Sequence, residues 1–297
     1  MFDPSWLWAL FTVIAAGAQT VRNATQRELA AKLGTVGATH VRFLFGFPFA
    51  LVFLAGVTLA LGQGPPRPPP MFWPWVIAGA LTQIAATALM LAAMNDRSFV
   101  VVYAYIKTEP VQAALFGLVF LGDVVTAGTA VAIVIATAGV VIMALKPGTT
   151  MDLRATLLGL AAGAMFALSA VGFRGAILSL GLPSYVMAAT FTVVIGLLMQ
   201  SALLSLYLWL RNPAVLAAIV HAWRPSLFAG FMGALASQFW FLAFALATAA
   251  SVRTLALVEV LFAQAIARLA FKQATTAREG AGIVLIVAGV ALLVAAQ

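Results

Sequence analysis

Tyr103, Tyr105, Lys107 and Glu109 stand close together in an otherwise apolar stretch, and a second carboxylate, Glu259, stands inside another. On a continuous helix Tyr103 and Lys107 share one face at i, i+4, while Tyr105, Glu109 and Gln112 share another. Pro110 has no N–H to donate, so it predicts a kink and hinge that leaves the Ile106 carbonyl without its helical partner. An ammonium, a carboxylate and a free carbonyl at one kink suit a zwitterionic amino acid. The competing reading is that Lys107 and Glu109 pair with residues on other helices and brace the bundle.

Glu259 has no basic neighbour at i±3 or i±4, and three roles stay open to it: accepting a proton, binding a substrate amino group, or pairing with Lys107 or Arg42. Gln83, Gln238 and Trp240 are polar groups inside apolar stretches, and amides both donate and accept hydrogen bonds; interhelical bonding is their structural alternative. With Phe166 as an aromatic wall, the candidate substrate-binding set is Gln83, Tyr103, Lys107, Glu109, Phe166, Gln238, Trp240 and Glu259. Gln19, Arg22, Asn23, His40 and Arg42 gather near the end of the first apolar run and the start of the second, where an interfacial role is the simpler reading.

Such residues need a scaffold, and composition defines it. The chain is 64% hydrophobic and only 8% charged, with a mean hydropathy of +1.10. A soluble domain carries about 25% charged residues. An integral membrane protein follows, and soluble enzymes, nucleic-acid binders and disordered scaffolds are excluded together, despite a net charge of +8. There is no cysteine, and His40 and His221 lie far apart, so no metal site or cofactor is expected. Met1-Phe2-Asp3-Pro4 lacks the basic start of a cleaved signal peptide, so the first apolar run is expected to stay as a helix.

A bilayer core about 30 Å thick needs roughly 20 apolar residues per helix. Charges, prolines and glycines divide the chain into ten expected spans, near 5–21, 36–61, 72–93, 98–120, 125–145, 155–175, 184–209, 226–247, 252–271 and 280–296. The clearest break is Gly62-Gln63-Gly64-Pro65-Pro66-Arg67-Pro68-Pro69-Pro70, whose prolines forbid a helix. Trp6, Trp8, Trp73, Trp75, Trp209 and Trp223 fall at span ends, where indoles anchor to the interface.

The halves echo one another. Gly79-Ala80-Leu81 matches Gly233-Ala234-Leu235, and Glu109 and Glu259 each precede a Gly-Val pair, Gly139-Val140 and Gly289-Val290, by the same distance. Five spans per half is odd, so equivalent helices must cross in opposite directions, the inverted-repeat plan of many secondary transporters. The expected fold is an all-α integral membrane protein of ten transmembrane helices in two inverted five-helix repeats, 1–150 and 151–297. Basic residues at the ends of odd-numbered connections are Arg22, Arg27, Lys32, Arg97, Lys146, Arg154, Arg211, Arg224, Lys272 and Arg278; the even ones have Arg67, Arg174 and Arg253. That asymmetry puts the odd connections in the cytoplasm and both termini on the periplasmic side.

The run Glu109-Pro110-Val111-Gln112-Ala113-Ala114-Leu115, then Phe120-Leu121-Gly122-Asp123, then Gly139-Val140-Val141-Ile142 resembles the EamA repeat of the drug/metabolite transporter superfamily. The second half matches more loosely: Val260 stands where Pro110 aligns, and Phe271-Lys272 replaces the Leu-Gly-acidic turn. The resemblance covers the whole chain and is nearest to bacterial amino-acid exporters of the YddG kind. It implies a secondary transporter of the bacterial inner membrane that exports amino acids, large apolar and aromatic ones included. Alternating access through a central cavity between the repeats is the expected mechanism. A proton or other ion could couple the flux, as a monomer or a homodimer. An exporter of another small metabolite or drug is the nearest alternative, and a lipid-modifying membrane enzyme a more distant one. No Walker A sequence or Gly-x-Ser-x-Gly elbow is present.

Overall fold

A computed structural model describes residues 6–96, 102, 105–144, 153–271 and 276–296. These residues are helical almost throughout, in the order α1 (Leu7–Leu44), α2 (Gly46–Leu61), α3 (Phe72–Asp96), α4 (Glu109–Leu121), α5 (Ala127–Ala144), α6 (Leu153–Ser179), α7 (Tyr185–Arg211), α8 (Pro213–His221), α9 (Trp223–Leu246), α10 (Ala249–Leu255), α11 (Val258–Phe271) and α12 (Ala277–Ala295). Among the described residues, six helical stretches are long and apolar enough to cross a bilayer: Lys32–Leu61, Phe72–Met90, Leu153–Ser179, Tyr185–Arg211, Trp223–Leu246 and Ala277–Ala295. Glu109–Leu121 and Ala127–Met143 are shorter apolar helices. Leu59, Val119, Val134 and Val284 are strongly exposed, as lipid-facing side chains are.

Three local features depart from the expected spans. The first connection, expected between 21 and 36, is helical; α1 runs through it and breaks only at Gly34 (φ 67°, ψ 173°), a conformation that a side chain would oppose. Basic residues such as Arg22 and Lys32 mark a polar stretch but are good helix formers, so charge alone does not end a helix. The short helix α8, opened by Pro213, was not foreseen; its Ile219 is fully buried against Leu29, Leu33 and Val41 of α1. Finally, two expected spans are broken rather than continuous. The chain turns at Lys107-Thr108 before α4, and again at Ala256-Leu257 between α10 and α11.

The chain forms two compact units, each drawing helices from both sequence halves. The first comprises Met1–Leu81 and Gly172–Leu246. Its main contact is α1 against α9, with α7 packed on both α2 and α9. Small residues allow close approach: a Cβ on Gly172 would lie 2.8 Å from the Gly79 nitrogen. Phe173, Phe241 and Phe244 pack as tilted rings through the interior, the first two with centroids 4.6 Å apart.

The second unit comprises Thr82–Val171 and Ala247–Gln297. Here α5 lies along α12 at backbone contact. A Cβ on Gly139 would stand 2.7 Å from the Gly282 carbonyl oxygen, and one on Gly289 would stand 2.6 Å from the Ala136 nitrogen. Gly139 and Gly289, the glycines of the matched Gly-Val pairs, permit this close approach. Ala136, Val140, Leu257 and Ile286 form the core of this contact, and α10 packs on α4 beside it.

Candidate functional site

The second unit places the ionisable residues, and its two helix breaks place their side chains. Pro110 falls at the start of α4, where a missing N–H costs nothing because the first turn has no intrahelical acceptor. The preceding turn is closed by the Thr108 N–H donating to the Tyr105 carbonyl and the Val111 N–H donating to that of Thr108. The proline therefore stops one helix and starts another, instead of kinking a single one. Glu109 is the first residue of α4, and Glu259 sits in the first turn of α11. Both carboxylates stand where unsatisfied backbone N–H groups favour negative charge.

Their partners come from the other broken stretch in each case. Lys107 Nζ donates to Glu259 Oε1, and Arg253 Nε lies 2.9 Å from Glu109 Oε1. The side chains of Lys107, Glu259, Arg253 and Glu109 are 9%, 5%, 12% and 8% exposed. A lone ion at this depth costs several kcal/mol, so opposite charges at contact offset most of one another's desolvation. The other charged residues on described helices of this unit, Asp96, Arg154, Arg268, Arg278 and Glu279, stand in first or last turns, and Asp123 stands just after α4.

Around the cluster, Gln112 reaches from α4 to α6, donating through Nε2 to the Leu160 carbonyl at 3.3 Å. Gly163 faces the Ile106 carbonyl at the break; a Cβ there would stand 3.0 Å from that oxygen and 3.2 Å from Gln112 Oε1. Phe166 packs against a core of Ala93, Val102, Ile106 and Ala162 just beyond. Gln83 is half-buried on α3 in the same unit. Tyr103 lies outside the described residues.

Gln238 and Trp240 belong to the first unit. Gln238 Nε2 donates to Thr190 Oγ1 at 2.7 Å, and Trp240 Nε1 donates to Gln19 Oε1 at 3.2 Å. His40, expected at an interface, is fully buried beneath α7, its Nε2 2.9 Å from Ser205 Oγ. Its helix does not start there, because α1 already runs through the expected connection. Arg22 is also buried, its guanidinium donating to Asn23. Arg42 lies 4.3 Å over the Phe43 ring.

Arg253 was missed as a site residue, because it falls at the entrance of an expected span and counts there as a topology marker. The available signal was the N-cap: Thr248 accepts the Ser251 N–H, which starts α10 before the arginine and puts it inside a helix.

Buried, paired charges at two broken helices in an all-helical, multi-pass membrane protein define a class, the membrane transporters. Residues 4–145, just under half of the chain, match the EamA-like transporter family. Its fold is similar to that of a solved crystal structure with a TM-score of 0.70 at 17% identity, covering 97% of this chain and 99% of that one. No curated protein sequence matches the chain.

Proposed function

We propose that this protein exports amino acids, including large apolar and aromatic ones, by alternating access across a bacterial inner membrane. The observation that carries the reading is the cluster of Lys107, Glu109, Arg253 and Glu259, two cations and two carboxylates held at two helix breaks. An α-amino and an α-carboxylate group need one partner of each sign, and a broken helix adds free backbone groups to both. Phe166 and Ile106 supply apolar surface beside the charges, and Gln83 and the Pro110 break complete the candidate set in this unit. Gln238 and Trp240 lie in the first unit, where they bond to Thr190 and Gln19.

The ten-span plan accommodates the helices as α1 up to Gly34, its remainder with α2, then α3, the broken stretch ending in α4, α5, α6, α7, α9, the pair α10–α11, and α12. Two repeats, 1–150 and 151–297, are supported by the matching breaks, each with a glutamate in the first turn after it. Orientation with both termini outside gains support as well. Arg174 donates to the Phe244 carbonyl and Arg253 pairs with Glu109, which takes both out of the even set, while the odd set loses Arg22, buried within α1. A proton is the simplest coupling ion, with Glu259 and Glu109 to receive it.

Counterflow in proteoliposomes, scanned across amino acids, sugars and quaternary ammonium drugs, tests the reading. Competition by leucine, phenylalanine and similar solutes is expected. Competition by sugars or ammonium drugs and by no amino acid would overturn it.

A further inference from the structure

The four buried charges sum to zero: Lys107 and Arg253 against Glu109 and Glu259. We infer that this neutral quartet sets the charge of the cargo, so that the site takes solutes carrying one positive and one negative group and rejects isosteric cations and anions. Arg253 is its fourth member and a specificity-determining residue. The inference rests on the amino-acid reading and deepens it.

The argument is one of charge conservation at low dielectric. Each cation already has a carboxylate and each carboxylate a cation, within one compact unit. A zwitterion can enter by exchange: its carboxylate takes the place of Glu259 at Lys107, and its ammonium meets the carboxylate so released. The number of opposite-sign contacts is then kept or increased. A monovalent amine can pair with a carboxylate only by displacing a cation that is left without a partner at bilayer depth. A carboxylate lacking the amino group does the converse. Rejection therefore comes from the penalty imposed on the wrong solute as much as from attraction to the right one. The remaining charges on described helices of the unit, Arg268 of α11 included, stand in first or last turns or, for Asp123, just after α4, and none of them lies at the two breaks.

The prediction is that removing one charge retunes selectivity by sign. The full-length protein is reconstituted, and initial counterflow rates are read for three probes of one shape: leucine, 3-methylbutylamine and 4-methylpentanoate. Wild type should carry leucine well above the other two. Lys107→Gln leaves the cluster at net −1, and the amine-to-leucine ratio should rise about tenfold or more, the effect of one unit charge within roughly 10 Å at an effective dielectric near 20. Glu259→Gln leaves net +1 and should raise the 4-methylpentanoate-to-leucine ratio similarly. Lys107→Gln with Glu259→Gln restores zero and should return both ratios towards wild type. Arg253→Gln and Glu109→Gln repeat the two sign changes on the other pair, and they carry the test if the first variants do not fold. Ratios that stay at the wild-type value in folded single variants overturn the charge rule while leaving amino-acid transport standing. Wild type that carries none of the three probes overturns the amino-acid reading and this inference together.

Discussion

Lys107 shows what one residue's neighbours decide. The sequence left it between cavity and brace; the structure seals it against Glu259 at 9% exposure. Truncation of one member of such a pair strands the other charge, at a cost of about 3–5 kcal/mol. Lys107→Ala should therefore melt well below wild type, and the exchange Lys107→Glu with Glu259→Lys should recover most of the loss; a swap that melts as low as the single variant would deny the pair its stabilising role. Gly163 gives a second residue-scale prediction. A valine there presses on the Ile106 carbonyl and on Gln112, so Gly163→Val should lower both melting temperature and counterflow, with Gly163→Ala milder. Lys107, Glu109 and Glu259 were legible, because a charge inside an apolar run stands out, whereas Arg253, at the entrance of an expected span, was not. The pairing of Glu259 with Lys107 was one of several open readings, and that of Glu109 with Arg253 was not foreseen, because such partners are far apart in sequence and meet only through packing.

At the scale of elements, the break before α4 was half legible. Pro110 signals that a helix cannot pass unchanged, but the sequence alone does not say whether it kinks or stops. Restoring the N–H with Pro110→Ala permits a continuous helix through Lys107 and Thr108; counterflow should fall while melting temperature holds or rises. A variant with unimpaired transport would remove the break from the mechanism. The partner break at Ala256-Leu257 carries no proline or glycine and gave no warning. The glycines of α5 and α12 signalled close helix approach without naming the partner; a Cβ on Gly289 would stand 2.6 Å from the Ala136 nitrogen. Gly289→Val should accordingly destabilise by about 1–3 kcal/mol, seen as a lower melting temperature in detergent. The capping box of α12, in which Thr276 and Glu279 exchange hydrogen bonds, is worth about 1 kcal/mol, and α8 escaped notice because nine residues between basic ends read as a connection.

For the whole molecule, composition was decisive: 8% charge leaves nothing but a membrane protein. Repeat and orientation rest on weaker signals, echoes of small residues and the placement of lysine and arginine. A C-terminal alkaline phosphatase fusion at Gln297 should be active and one after Thr150 silent; the reverse would invert the orientation and leave the helices untouched. The compact units were not legible, since each combines helices from both halves, and only packing determines that. Function stands or falls on whether an amino acid binds at the charge cluster. A ligand that binds only the folded protein raises stability by about 2.7 kcal/mol at a hundredfold excess over Kd. Thermal melting of purified wild type, Lys107→Ala and Glu259→Ala, each with and without saturating leucine or phenylalanine, reads this directly. Wild type should shift upward with amino acid, and both variants, lower at the outset, should gain nothing. Equal shifts in all three proteins, or no shift in wild type with any amino acid, would contradict the account.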